Sequence, residues 1–206
     1  MTFPDRVAIA SRNAHKLREL GRICRDWPVE WVTVETHDPS EFPDVEETED
    51  TYIGNALLKA RAVADALGVP AIADDSGIEV DALGGRPGVL SARFGGEGLD
   101  DAGRNAAMLR ALGGVPHERR TARYRALIAL SEPCGREAVT EGVVEGVLLT
   151  APRGTGGFGY DPLFFYPPLD ATFAEVRAEA KHAVSHRALA MARARLVLAE
   201  WLRRGG

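Results

Sequence analysis

The sequence predicts an α/β fold, and the order of its first elements is the main reason. Residues 6–11, Arg-Val-Ala-Ile-Ala-Ser, have the composition of a buried strand. Asn13 follows as a favoured helix N-cap residue, and apolar side chains then recur at helical spacing from Leu17 to Trp27. A strand that leads directly into a helix is typical of α/β proteins.

The next elements are predicted from local patterns in chain order. Val29–Val34 alternates as a second strand, and a helix over about Asp50–Leu67 follows an acidic loop. We expect a short strand, Ala71–Gly77, to end in two carboxylates. A strand candidate at 78–83, a glycine-rich loop at 84–98 and a helix at 100–112 come next. Two strands, 121–130 and 137–149, are then predicted around a turn at 132–135. The last predicted elements are a short apolar strand after Pro162 and a helix over about 185–204.

Composition predicts one soluble domain over residues 1–206, in the cytoplasm. The chain is 45% hydrophobic and 27% charged, and it has no apolar stretch of membrane-spanning length. Cys24 and Cys134 are its only cysteines, which makes a disulfide framework or a structural zinc site improbable. The net charge of −5 does not favour binding to a nucleic acid polymer.

Charge is unevenly distributed along the chain. The segment from Glu35 to Asp50 carries eight acidic residues and no Lys or Arg, whereas many cations lie in the C-terminal third. Solvated surface is the usual explanation for such runs. A site for a magnesium-bound polyphosphate would also need both signs of charge.

The segment Gly154–Asp161, Gly-Thr-Gly-Gly-Phe-Gly-Tyr-Asp, is the strongest indication of a ligand. Closely spaced glycines let backbone N–H groups approach a phosphate, and the two rings offer a stacking surface for a base. The letters also fit the dinucleotide-binding fingerprint, but that motif must open a helix. Pro162 and the aromatic run after it predict a strand instead. A simple glycine-rich turn remains the alternative.

Two more segments offer polar groups at element ends. Residues 11–16, Ser-Arg-Asn-Ala-His-Lys, lie where a strand meets a helix N-terminus, which attracts anions, although a capped surface helix would look the same. Ser185-His186-Arg187 begins the last helix four residues after Lys181. These donors could hold phosphate or a keto oxygen of a base, and a serine N-cap with a solvated arginine is the alternative.

Four carboxylates could form a magnesium site. Asp74 and Asp75 at the predicted strand end, with Glu46 and Glu47 of the acidic loop, supply hard oxygen ligands. Because adjacent strand residues point to opposite faces, only one of the two aspartates is expected to face the metal. A carboxylate there could also deprotonate an attacking water. The alternative is an Asp that accepts backbone hydrogen bonds in a turn with Ser76.

Together these motifs resemble the inosine/xanthosine triphosphate pyrophosphatase family. The resemblance rests on seven motifs in order: S-x-N-x-x-K, E-E-T before a helix with Asn55, A-D-D-S-G, L-G-G-x-P-G, S-A-R-F, G-T-G-G-F-G-Y-D-P and K-x-x-x-S-H-R. It implies an α/β fold with a long mixed central sheet flanked by helices, and two lobes with a nucleotide cleft between them. It also implies a homodimer and Mg²⁺-dependent hydrolysis of ITP, dITP or XTP to monophosphate and pyrophosphate.

The resemblance also assigns roles to individual positions. Asp75 would be the general base and, with Glu46, would hold magnesium. The residues that would contact the purine nucleoside triphosphate are Ser11, Arg12, Asn13, Ala14, His15, Lys16, Ser76, Phe158, Gly159, Tyr160, Asp161, Lys181, His186 and Arg187. Three positions depart from the family pattern: Arg12 and His15, where relatives often carry small residues, and Gly54, where they often carry a polar one.

Two other functions fit parts of the sequence. A non-catalytic purine nucleotide sensor would use the same glycine-rich segment, but it has less use for Glu46 and Asp75. A dinucleotide-dependent oxidoreductase would need a helix after Gly159.

Overall fold

The protein, represented by a computed structural model, is described over residues 4–133 and 135–203. Its strands are β1 Arg6–Ile9, β2 Glu30–Val32, β3 Ala71–Val80, β4 Thr121–Ser131, β5 Glu137–Leu148, β6 Phe164–Tyr166 and β7 Ala171–Thr172. Its α-helices are α1 Ala14–Ile23, α2 Tyr52–Leu67, α3 Asp101–Ala111, α4 Ala178–Val184 and α5 His186–Arg203. The predicted turn includes Cys134 and the predicted last helix includes Arg204, both of which lie outside the described residues.

Within these two ranges the strands form one seven-stranded sheet in the order β2-β1-β3-β4-β5-β6-β7. β1 pairs in parallel with β2 and β3, and β6 pairs in antiparallel with β5 and β7, so the sheet is mixed. The α/β prediction is therefore confirmed, as is the short strand after Pro162. That strand also argues against the oxidoreductase interpretation, because the residues directly after Gly159 form a turn and then β6 instead of a helix.

One prediction about the strands is wrong. Ala71–Gly77 and Ile78–Leu83 were expected as two strands, but β3 runs unbroken from Ala71 to Val80 and a short 3₁₀ turn takes residues 81–83. β3 lies inside the sheet between β1 and β4, and ladder hydrogen bonds from both sides override the local turn tendency of Ser76-Gly77. Asp74 and Asp75 therefore lie in the middle of a strand.

The structure divides into two compact units. The first takes its described residues from the segments Met1–Asp75, Ala126–Gly142 and Arg187–Gly206. Two apolar clusters form its core: side chains of β1, α1 and α5 around Leu20 and Leu198, and small side chains of α2 and β3 around Ala60 and Ala73. The close packing of Ala56, Ala60 and Ala64 lets α2 approach the sheet.

The second unit comprises Ser76–Arg125 and Val143–His186. Its core is more aromatic, and Tyr124, Phe164 and Phe173 form one contact group with ring centroids 4.6 to 6.1 Å apart. In the part of the chain that the structure describes, no helix has both the length and the apolar character needed to cross a membrane.

Candidate active site

The first unit contains the predicted phosphate-binding segment, at the junction of β1 and α1. Asn13 is the N-cap of α1, and its Oδ1 accepts hydrogen bonds from the backbone N–H groups of His15 at 2.9 Å and Lys16 at 3.2 Å. Ser11 Oγ accepts from the Asn13 N–H at 3.2 Å. Ala14 is the first residue of α1. This geometry leaves a helix N-terminus next to a lysine, an arrangement that favours anions.

The two unusual side chains of this segment have partners in the same unit. Arg12 Nη2 donates to the Phe42 carbonyl oxygen at 2.6 Å, and Arg12 Nε lies 3.9 Å from Asp44. His15 Nδ1 lies 3.1 Å from Arg18 Nη2. Arg12 therefore binds the backbone of the acidic loop, and His15 contacts its own helix.

Asp74 is a buried acceptor for two cations. Its side chain is 1% exposed, and Oδ2 accepts from Lys16 Nζ at 2.9 Å and from Arg187 Nε at 3.1 Å. Burial by itself would raise the pKa of this carboxyl, but Arg187 and Lys16 outweigh that effect and hold the pKa far below its usual range. Asp74 is therefore ionised at neutral pH.

Asp75 has a different environment from its neighbour. Its Oδ1 accepts from Lys59 Nζ at 3.1 Å, and its Oδ2 is buried and has no hydrogen-bond partner among the residues the structure describes. Burial raises the pKa of Asp75 above its usual value, and the nearby Lys59 and Lys16 only partly offset that rise. A desolvated carboxylate oxygen of this kind can accept a proton or bind a cation.

Lys59 joins the carboxylates of this group. Its Nζ donates to Glu47 Oε1 at 2.6 Å and to the Asp74 carbonyl oxygen at 3.1 Å, in addition to Asp75. Burial would lower the pKa of Lys59, but the carboxylates of Asp75 and Glu47 outweigh it and hold the pKa above its usual value. Lys59 is therefore a fixed positive charge between two acidic residues.

The acidic residue that shares Lys59 with Asp75 is Glu47; Glu46 and Glu47 are both exposed. Within residues 4–133 and 135–203, no three His, Cys, Asp or Glu side chains are grouped so that they could hold a metal ion by themselves. A divalent cation would then take one or two protein carboxylates and complete its shell with phosphate and water, as magnesium does. The buried Oδ2 of Asp75 fits that requirement.

Asn55 attaches the acidic loop to α2. Its side-chain amide accepts from the Glu49 N–H at 2.9 Å and donates to the Glu49 carbonyl oxygen at 3.0 Å. A Cβ on Gly54 would lie 2.6 Å from Glu49 Cβ, so the glycine gives Glu49 room at this attachment. The close approach explains a glycine in the first turn of α2.

Arg187 is buried, and the alternative of a solvated arginine is wrong. It is 4% exposed, and Nη1 donates to Glu19 Oε2 at 2.8 Å while Nε donates to Asp74. Glu19 is itself 4% exposed on α1. A buried guanidinium needs such carboxylates, since an unpaired charge would not be tolerated there.

The second unit contains the other predicted group, centred on Asp161. Lys181 Nζ lies 2.6 Å from Asp161 Oδ2, and the Phe158 N–H donates to the same oxygen at 2.9 Å. The Lys181 ammonium also lies 4.9 Å from the centroid of the Phe158 ring. Asp161 and Lys181 are 1% and 4% exposed. The motif thus folds into a buried ion pair beside an aromatic ring.

His186 completes this group by stacking. Its ring lies parallel to that of Tyr124, with centroids 4.7 Å apart and an interplanar angle of 9°, and it is 2% exposed. The Tyr124 hydroxyl donates to Asp161 Oδ1 at 3.3 Å. Tyr124 therefore holds both the imidazole and the carboxylate.

Glycine conformation matters at Gly157, where φ is +70°. A Cβ there would overlap Asp161 Oδ2, so only glycine lets the carboxylate fold back onto the Phe158 N–H.

The predicted residues therefore fall into two groups. Ser11–Lys16, Asp75 and Arg187 belong to the first unit, and Phe158–Asp161, Lys181 and His186 belong to the second. Ser76 follows Asp75 on β3 and is half-buried. The first group is rich in charge, and the second combines rings with one ion pair.

Sequence reasoning missed Lys59, Glu19 and Tyr124. Lys59 had a usable signal: it follows Ala56 by three residues and precedes Ala60 by one, so it borders the apolar face of α2. Glu19 and Tyr124 gave no such signal, because their partners lie far away in the sequence.

This chain is similar in sequence to one protein family and to relatives that share a single name. The model of the Ham1 family matches residues 7–196. A dITP/XTP pyrophosphatase of Geobacter sulfurreducens is 50% identical over 187 residues, which cover 91% of this chain and 93% of the relative. A protein of the same name from Geobacillus kaustophilus is 48% identical over 185 residues and 90% of each chain.

Solved structures agree with these sequence similarities. The structure of a HAM1 protein from Coxiella burnetii matches with a TM-score of 0.84 and 38% identity, over 95% of this chain and 98% of that one. A nucleoside-triphosphatase / dITP/XTP pyrophosphatase from Mycobacterium abscessus matches with a TM-score of 0.73 and 43% identity, over 93% and 98% of the two chains. The resemblance inferred from the seven motifs is therefore confirmed, together with the α/β fold.

Proposed function

This chain belongs to the Ham1 family, and we propose that it hydrolyses the non-standard purine nucleoside triphosphates ITP, dITP and XTP to the monophosphate and pyrophosphate. The observation that carries the proposal is Asp75. One of its oxygens is fixed by Lys59, and the other is buried with no hydrogen-bond partner in the described part of the chain. A carboxylate held in this way can take the proton of an attacking water.

The first unit supplies the groups for the triphosphate. The N-terminus of α1 and the side chains of Ser11 and Lys16 present donors suited to phosphate oxygens. Lys16 is fixed by Asp74, so its ammonium is held near the start of the helix. These groups would stabilise charge that develops on the leaving pyrophosphate as water attacks the α-phosphorus.

A divalent metal, which we propose to be Mg²⁺, would be held by Asp75 and a carboxylate of the acidic loop. The sequence resemblance points to Glu46 for the second ligand, whereas the contact with Lys59 favours Glu47. When bound, the ion would neutralise negative charge on the phosphates and polarise a phosphoryl oxygen. Lys59 orients the Asp75 carboxylate for either task.

The second unit supplies the groups for the base. Phe158 offers a ring face, and the ammonium of Lys181 and the imidazole of His186 can donate to a keto oxygen at purine position 6. Adenine carries an amino group there, which cannot accept a hydrogen bond from these donors. Such mismatches discriminate by orders of magnitude.

The test is product analysis with purified protein. Pyrophosphate and orthophosphate release are measured from ITP, XTP, GTP and ATP, each with and without Mg²⁺. The proposal expects pyrophosphate from ITP and XTP, only with metal. Orthophosphate as the product, or equal use of ATP, would contradict it.

We also propose one pyrophosphatase domain over residues 1–206, a homodimer, a cytoplasmic location and no nucleic acid polymer as partner. Sedimentation equilibrium on the purified protein tests the dimer directly.

A further inference from the structure

The first turns of α3 lie against the glycine-rich segment of the second unit. The Gly159 N–H donates to Asp101 Oδ2 at 2.6 Å, and Asn105 Nδ2 donates to the Gly159 carbonyl oxygen at 2.8 Å. Both polar groups of one residue are thus bound by a single helix. We name Asp101 and Asn105 together the α3 clamp.

The clamp is itself rigid. Asn105 is 7% exposed, and its second amide hydrogen goes to the Asp101 carbonyl oxygen at 2.8 Å. The Asp101 carboxylate uses its other oxygen for Arg104 Nη2 at 2.5 Å. Since each clamp side chain is bound at two points, neither can change rotamer without breaking a further hydrogen bond.

Gly159 lies between the two aromatic residues of the motif. On one side, Phe158 is next to Lys181, and its N–H is bound to Asp161. On the other side, the Tyr160 hydroxyl donates to the Ser91 carbonyl oxygen at 2.7 Å, and Tyr160 is 4% exposed. The backbone at Gly159 has φ of +64°, a conformation that an unrestrained glycine leaves easily. Its position therefore depends on what holds its N–H and its carbonyl.

We propose that Asp101 and Asn105 are positioning residues for base recognition. They act through the Gly159 peptide, whose N–H and carbonyl they bind and which sets where the Phe158 ring lies. This inference rests on the proposed function and deepens it, because it assigns part of the base selectivity to α3. The glycine-rich segment is pre-organised by the helix before substrate arrives, which reduces the ordering cost of binding.

The experiment compares variants by steady-state kinetics with ITP and GTP. Asn105→Ala removes the donor to Gly159, and Asp101→Ala removes the acceptor. Asp101→Asn keeps an oxygen that can accept from the Gly159 N–H and serves as the conservative rescue. Arg110→Ala changes an exposed residue of the same helix and is the matched control.

For Asn105→Ala and Asp101→Ala we expect KM for ITP to rise about tenfold, the effect of one lost hydrogen bond. kcat should change much less, and the preference for ITP over GTP in kcat/KM should fall. Asp101→Asn and Arg110→Ala should behave as the wild type. A purely structural role would lower thermal stability without changing the ITP preference.

Unchanged KM and unchanged preference in folded variants would overturn the inference. If Asn105→Ala does not fold, the pair Asp101→Ala and Asp101→Asn decides by the same criteria. Failure of the proposed function is distinguishable, because it appears in the wild type as absence of pyrophosphate release from ITP, and the inference then falls with it.

Discussion

Lys59 donates to Asp75 Oδ1 at 3.1 Å, so one oxygen of this carboxylate is fixed while the other remains buried beside it. The same ammonium binds Glu47 at 2.6 Å. One lysine thus sets the positions of two acidic residues that come from different parts of the chain.

Replacement of Lys59 by methionine keeps side-chain volume but removes this charge. We expect kcat/KM for ITP to fall about 10- to 100-fold, because Asp75 loses the partner that orients it. Arg61→Ala is the control: Arg61 lies on the same helix and forms an exposed ion pair with Glu137, which is worth about 0–1 kcal/mol. Equal activities of the two variants would contradict the role of Lys59.

Asp75→Asn should abolish turnover and leave the fold intact. The amide has nearly the same shape but cannot take a proton from water, so we expect kcat to fall by about 10²–10⁴. Pyrophosphate release and circular dichroism are measured on the same preparation. Full activity with a native spectrum would remove Asp75 from the mechanism.

Asp74→Asn should instead destabilise the protein. Lys16 and the buried Arg187 would lose a carboxylate partner, and breaking a buried ion pair from one side costs about 3–5 kcal/mol. Urea unfolding at neutral pH gives the free energy of unfolding for both proteins. A difference below about 1 kcal/mol would show that the buried charges rearrange.

The same pair of proteins gives a pH dependence with a defined sign. The pKa of Asp74 is lowered in the folded state from the ordinary value of 3.8, so its stabilising effect is present above that value and is lost as pH falls below it. The difference in unfolding free energy between wild type and Asp74→Asn should therefore be constant from neutral pH to about pH 5. It should then shrink in acid; a difference that grows on acidification would contradict this sign.

Gly157→Ala tests the fold of the glycine-rich segment. A methyl group would overlap Asp161 and displace it from the Phe158 N–H, so we expect KM for ITP to rise together with a loss of stability. Gly68→Ala is the matched control outside the site, since φ is also positive there but nothing lies within 4 Å of the added Cβ. It should show only the backbone strain, about 1 kcal/mol in unfolding experiments. Similar KM values in both variants would refute the overlap argument.

Cys24 should be unreactive in the native state. Burial raises the pKa of its thiol to about 12, so almost no thiolate exists at pH 8. In a Cys134→Ser variant, which leaves one thiol, iodoacetamide should label the protein in denaturant and not in buffer. Rapid native labelling would place Cys24 at the surface.

Much of the fold could be predicted, because hydrophobic periodicity and capping residues are local signals. Asn13 caps α1 as expected, and α3 and β6 lie where the patterns place them. β3 was divided wrongly, since Ser76-Gly77 resembles a turn and only its neighbours in the sheet keep it extended. The short helix α4 was not predicted, and its seven residues are too few for a clear period.

The sequence predicts which residues form the candidate site better than it predicts which of them contact each other. Motifs identify Asp75 and Lys181 as polar residues in a ligand-binding context, but they do not give the partner of either one. The Arg187–Glu19 contact joins residues 168 positions apart. The Tyr124–His186 stack joins a motif residue, His186, to Tyr124, which belongs to none of the motifs. Such pairings are set by tertiary packing, which no local pattern encodes.

The carbonyl oxygen of Asp74 accepts from both Lys16, at 3.2 Å, and Lys59, at 3.1 Å. This acceptor belongs to the main chain, so no amino-acid replacement at position 74 can delete it. Substitution of the carboxylate would therefore leave one anchor common to both ammonium groups. Substitutions at position 74 should therefore have two separate effects. The main-chain carbonyl keeps the two lysine ammonium groups close together whatever the side chain is, whereas the charge that neutralises them depends on the side chain.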